Sequence, residues 1–146
     1  MKTHESDTLT IFIPEASNGD GAVYIDIGIS AGFPSPADDF KERRLSLDDE
    51  LIKNKEATFF ARVSGQSMVG AGLDDNDLLV VDKSLEPTNN RIAVCFIDGE
   101  FTVKRLKVEK DCVWLLPENP HYKPIRVTEE NDFMIWGIVT NVIKTV

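Results

Sequence analysis

The sequence predicts a mostly β domain, a barrel or folded sheet of many short strands, with an extended N-terminal arm and one or two short helices. Three observations predict it. From Ala57 onward, short apolar runs follow one another at close spacing, each closed by Gly, Pro, Asn or Asp. Val23, Ile25, Ile27 and Ile29 are apolar at every second place, the period of a strand with one buried face. Asp98-Gly99 stands between two apolar runs, a strong signal for a two-residue hairpin turn. At 146 residues, with 42% hydrophobic and 28% charged side chains, the chain is the size of one domain with one core.

Taken in order, residues 1–31 read as an arm. Thr8 to Ile13 is a short alternating strand closed by Pro14, and Ala16 to Gly21 is a turn or flexible loop. The strand at 23–29 has two readings, an edge strand of the sheet or an extended segment presented to a binding cleft through backbone hydrogen bonds. The alternation alone favours the edge strand. Ser35-Pro36-Ala37-Asp38 has the form of an N-cap, a first-turn proline and an acidic third residue, predicting a short helix to about Arg43. Ser46-Leu47-Asp48-Asp49 repeats the signature, predicting a second helical stretch through Asn54 with Leu47, Leu51 and Ile52 facing inward.

Strands are then expected at Ala57 to Val63, Leu78 to Val81, Arg91 to Ile97, Glu100 to Val108, Cys112 to Leu116, Ile125 to Thr128 and Phe133 to Ile143. The last is apolar enough for a core or a dimer interface, and Trp114, Phe133 and Trp136 are assigned to the core. Leu73-Asp74-Asp75-Asn76-Asp77 lacks the spacing and closing Glu of an EF-hand, so it reads as a solvated turn before a buried strand.

Composition bounds function. A net charge of −9 argues against a protein that lives by neutralising phosphates, and so against direct sequence-specific DNA binding. No run approaches the roughly 18 apolar residues of a membrane span, and the polar start lacks a signal peptide's apolar stretch. A cytoplasmic protein is expected. Cys95 and Cys112 could pair on count, but buried free thiols suit that compartment better. His4 and His121 have no ligand spacing around them, so neither a metal nor a cofactor is expected.

One constellation carries chemistry. Ser67 sits in the glycine-bearing turn Ser64-Gly65-Gln66-Ser67-Met68, and Lys104 sits in the apolar strand Phe101 to Leu106. A serine hydroxyl becomes a nucleophile when a nearby base takes its proton. An amine does so only when neutral, well below its free pKa of roughly 10.4, and burial among apolar side chains disfavours its charged form. Val103, Leu106 and Phe101 around Lys104 suit that need.

The segment Phe59 to Met68 resembles the nucleophile motif of the LexA/UmuD group of self-cleaving peptidases. The separation of 37 residues between Ser67 and Lys104 fits that group. Asp98-Gly99-Glu100-Phe101-Thr102-Val103-Lys104 resembles the lysine-bearing hairpin of UmuD, and Ala31-Gly32-Phe33-Pro34-Ser35-Pro36-Ala37-Asp38 resembles the cleavage segment of the same proteins. Alanine at the first position of the bond is the LexA choice, where UmuD proteins carry cysteine; both are small. Three motifs in the right order run from about Gly28 to the end of the chain.

The resemblance implies a LexA/UmuD-like β fold with Ser67 as nucleophile, Lys104 as general base and the backbone N–H groups of Ser67 and Met68 as oxyanion donors. The cut falls at Ala31-Gly32, dividing an arm of 1–31 from a peptidase-like domain of 32–146, and it reverses the preference at 23–29 in favour of a substrate strand. With 31 residues of strand-like periodicity before the bond, a LexA-like transcriptional regulator is less well matched than a UmuD-type protein. That type implies a homodimer in the SOS response, trimmed on a RecA–single-stranded-DNA filament and joining a UmuC-like Y-family polymerase in translesion synthesis. The competing readings are a non-cleaving interaction module of the same fold and a signal-peptidase-like enzyme, which would need a membrane anchor.

Overall fold

The computed structural model describes residues 8–15, 22–25 and 42–146. They fall in two compact units, Met1–Pro14 with Asn54–Val146, and Glu15–Lys53.

In the smaller unit, β2 (Ala22–Ile25) pairs antiparallel with β3 (Glu42–Leu45), Ala22 opposite Leu45 and Ile25 opposite Glu42. The strand expected at 23–29 is thus present as far as Ile25, and its remainder lies outside the described residues. So does most of the helix expected from Ser35. Its last two positions, Glu42 and Arg43, are strand instead. A cap signature fixes where a helix can start but not how far it runs, and here pairing with β2 decides. The second capping signature is realised as α1 (Leu47–Leu51), with the Ser46 hydroxyl accepting from the Asp49 N–H at 3.4 Å. Asp48, Asp49 and Glu50 in its first turn suit the positive end of the helix dipole. The helix stops short of Asn54 and none of its residues is buried: Leu47 is 62% exposed rather than inward-facing, and Leu51 and Ile52 are half-buried.

The larger unit is an eight-stranded antiparallel sheet. Its strands are β1 (Thr8–Phe12), β4 (Thr58–Ser64), β5 (Leu78–Asp82), β6 (Ile92–Ile97), β7 (Glu100–Val108), β8 (Val113–Leu116), β9 (Ile125–Val127) and β10 (Phe133–Ile143), in the order β1-β4-β5-β10-β6-β7-β8-β9. The mostly β prediction holds, and every strand expected after Ala57 is present within a residue or two. Asp98 and Gly99 turn the β6–β7 hairpin with φ of 48° and 88°, the two left-handed residues of a type I′ turn.

Alternation along the strands sorts the apolar residues into two clusters. Ala61, Val63, Met68, Leu73, Leu79, Val81, Val94 and Val103 form one, with Leu9, Phe101 and Trp136 packed on it. Ala93, Cys95, Leu106, Leu115, Val127 and Ile138 form the other, with Phe133 packed on it. Trp114, Phe133 and Trp136 are all half-buried, and of the three Trp114 packs on neither cluster. The C-terminal strand is mixed: Ile138 is buried, whereas Val142 and Ile143 are exposed. Asp82, near the end of β5, is buried. Burial pushes its carboxyl upward, but hydrogen bonds from the Ser84 hydroxyl, the Asn54 amide and the Ser84 N–H outweigh this and hold it below the usual range. Cys95 and Cys112 are both free thiols. Among the described residues no helix is long and apolar enough to cross a membrane.

Candidate active site

Lys104 lies on β7, opposite Ala93 of β6, while Thr102 lies opposite Cys95. Directly opposed residues share a sheet face, and so do residues two apart on one strand. Lys104 therefore shares its face with Ala93, Cys95, Thr102 and Leu106, while Val103 and Phe101 belong to the other cluster. Of the apolar neighbours expected around the lysine, Leu106 is on its face; the rest come from β6, which the local sequence does not reveal. The side chain is 5% exposed. Its Nζ reaches Thr102 Oγ1 at 2.7 Å and the Val103 carbonyl at 3.2 Å.

The same Nζ lies 3.0 Å from Ser67 Oγ, and Ser67 is 1% exposed. With the amine charged, Nζ donates to the hydroxyl. With it neutral, the bond reverses and the hydroxyl proton points at the nitrogen lone pair, the geometry of general-base activation. Burial withdraws the water that would otherwise favour the ammonium. The neighbouring Cys95 responds to the same surroundings: burial pushes its thiol up to about 12, against the opposing pull of the Lys104 charge.

Ser67 is not on a strand. It follows β4 through Gly65, at φ 116°, and precedes a 3₁₀ turn at Val69–Ala71. Two other segments fix this turn. The Asp75 carboxylate accepts from the Gly65 N–H at 3.0 Å. On the other side, the Glu118 N–H donates to the Ser67 carbonyl at 2.8 Å, the Gly70 N–H donates to the Glu118 carbonyl at 2.7 Å, and Asn119 Nδ2 donates to the Gln66 carbonyl at 2.8 Å. Gly70 is required by this approach, since a Cβ there would lie 2.6 Å from the Glu118 carbonyl oxygen. Arg105, next to Lys104 in sequence, binds the Glu118 carboxylate through Nε at 2.5 Å. The strand of the lysine and the turn of the serine are thus joined through Glu118.

The acidic turn read as merely solvated is part of this scaffold. Asp77 is 5% exposed; its carboxylate accepts from the Asp74 N–H at 2.8 Å and pairs with Lys144. Hydrogen bonds to Asp74 and Asp77 hold the Lys144 ammonium above its usual range. Met68 buries its side chain in the first cluster. Among the described residues no acceptor takes the Met68 N–H. Ala31 and Gly32 lie outside the described residues. Among the described residues no cluster of His, Cys, Asp and Glu could hold a metal ion. Thr102, Glu118 and Asn119 escaped the sequence reading. The i, i+2 spacing of Thr102 and Lys104 on a strand was the one signal available for any of them.

Residues 22–140 match the family described as Peptidase S24-like. The chain is 44% identical to protein ImpA of Salmonella typhimurium over 119 residues, 77% of each chain. It is 42% identical to protein MucA of Escherichia coli over 115 residues, again 77% of each. Protein SamA of Salmonella typhimurium strain LT2 is 48% identical over 110 residues, 75% of this chain and 76% of that protein.

Proposed function

We propose that this chain, which belongs to the Peptidase S24-like family, is a serine peptidase that cuts itself once, at Ala31-Gly32, and then serves an error-prone polymerase. What supports the reading above all is one contact, Lys104 Nζ 3.0 Å from Ser67 Oγ with both residues buried. Neutral Lys104 takes the Ser67 hydroxyl proton as Oγ bonds to the Ala31 carbonyl carbon. The Ser67 and Met68 N–H groups steady the oxyanion. The bond to the Gly32 nitrogen then breaks, and Lys104 returns the proton to the leaving amine. Lys104 next takes a proton from water, whose oxygen bonds to the acyl carbon; the bond to Ser67 Oγ then breaks and Lys104 returns that proton to Oγ, restoring the hydroxyl and the neutral amine. The products are 1–31 with a new carboxylate and 32–146 with a new amine. Thr102 Oγ1 and the Val103 carbonyl steer the amine throughout.

In this reading cutting is a switch. A homodimer in the cytoplasm meets a RecA–single-stranded-DNA filament during the SOS response, the filament favours the docked arm, and the trimmed dimer joins a UmuC-like Y-family polymerase. The support for these partners is the motif resemblance together with the similarity to ImpA, MucA and SamA.

Intact-mass measurement across neutral to strongly alkaline pH tests the reading. The wild-type chain should yield fragments of 1–31 and 32–146, faster as pH rises and the amine is neutralised, and Ser67→Ala and Lys104→Ala should yield none. A chain that stays whole at every pH, and stays whole with a RecA filament, single-stranded DNA and nucleotide, is a non-cleaving module of this fold.

A further inference from the structure

Among the described residues β1 is one of the two edge strands of the sheet, bonded to β4 with Thr8 opposite Ser64, Thr10 opposite Arg62 and Phe12 opposite Phe60. It also lies against β7. It therefore rests along the strand that leads into Ser67 and against the strand that carries Lys104. The Val63 N–H donates to the Asp77 carbonyl and the Val63 carbonyl accepts from the Asn76 N–H, so the backbone of Val63 faces β5. Alternation then turns the N–H groups of Phe60, Arg62 and Ser64 toward β1. Leu9 and Ile11 are half-buried, Leu9 on the Ala61 and Val63 cluster, while Thr10 and Phe12 are exposed.

In the uncut chain the tether keeps β1 at an effective concentration on the order of millimolar. A cut at Ala31-Gly32 leaves β1 on one product and β4 on the other. At micromolar protein the local concentration then falls about a thousandfold. A strand of five residues with only two half-buried aliphatic side chains is too small to stay. Its departure leaves a row of unpaired N–H and C=O groups, a template for another strand.

We infer that the edge of β4 is a strand-acceptor site, closed by Thr8–Phe12 in the uncut chain and opened by scission for an extended segment of a partner protein. The strand seated there defines what fits: two aliphatic side chains two residues apart facing the core, and backbone N–H groups free of proline at the three paired positions. The trigger rests on the cleavage reading; the acceptor itself does not.

The test separates the two. A Ser67→Ala chain carries the recognition sequence of an unrelated protease between Asn18 and Gly19, so β1 can be severed without the dyad. Amide hydrogen exchange is followed residue by residue before nicking, after nicking and dilution to micromolar protein, and after adding a synthetic peptide of residues 5–15 at about the millimolar concentration that the tether supplies, as the strand probe. Exchange at Phe60, Arg62 and Ser64 should rise at least tenfold on nicking, with Ala61 and Val63 unchanged. The peptide should restore protection, and its Leu9→Asp, Ile11→Asp form should not. Amides that stay protected after nicking, whether by a retained fragment or a second copy, overturn the proposal, as does a peptide that restores nothing. An edge that opens in the nicked chain while the wild-type chain never cuts itself removes only the trigger.

Discussion

Ser67 and Lys104 meet at 3.0 Å but are held by opposite means. Lys104 stands on a nine-residue strand with paired neighbours on both sides, β6 and β8. Its position follows from regular geometry. Ser67 stands on an irregular turn whose place is set by ties to segments remote in sequence, Asp75 on one side and Glu118 with Asn119 on the other. The difference teaches where each half of the pair is vulnerable. The lysine is sensitive to its own chemistry and to what surrounds it, and the serine to residues that never touch the Ser67–Lys104 contact.

The sharpest way to test this contrast is at the lysine itself. Lys104→Arg keeps the charge and the strand but supplies no neutral base, so the proposed self-cleavage, measured by intact mass, should fall by at least about a thousandfold. On the serine side, Gly70→Ala leaves Ser67 and Lys104 themselves unchanged and drives a Cβ into the Glu118 carbonyl. Cleavage should fall roughly ten- to a hundredfold with stability lowered by about 1–3 kcal/mol in a urea titration. Should Gly70→Ala cut at the wild-type rate, the turn does not depend on the Glu118 contact.

Burial around the lysine has its own signature. Cys95 is raised in the folded chain to about 12, so the unfolded thiol loses its proton first as pH rises. Its contribution to stability is intact below about pH 9 and is lost through the interval up to about 12. Cys95→Ala should flatten the fall of Tm above pH 9, and it should extend the alkaline range over which cleavage can be followed. Thr102→Val removes one partner of the amine; cleavage should slow about tenfold with a displaced pH–rate profile, and Thr102→Ser should restore both. The smallest effect on cleavage is expected from Lys144→Ala, which removes the cation paired with Asp74 and with the buried Asp77 and should lower Tm while slowing cleavage less than Thr102→Val does.

Much of this molecule was legible in its sequence. The strands after Ala57 announced themselves because alternation and the Asp98-Gly99 turn are local signals that their own sheet reinforces. The smaller unit was less legible: Glu42 and Arg43 follow a helix cap yet pair with β2, since a short segment takes the structure that its partner offers. Likewise β1 could be read as a strand, but not that it closes the edge beside β4.

The sequence alone determined that a serine on a glycine turn and a lysine on an apolar strand were the pair to consider, since hydroxyl, amine and strand period are properties of the residues themselves. Only the tertiary structure decided that they touch, that Ala93 and Cys95 rather than Val103 accompany the lysine on its face, and that Glu118 and Asn119 lock the serine's turn. The physical reason is that contacts between sheet neighbours and between loops depend on register and on backbone approach, which arise when distant segments pair and are written in no single stretch of the chain.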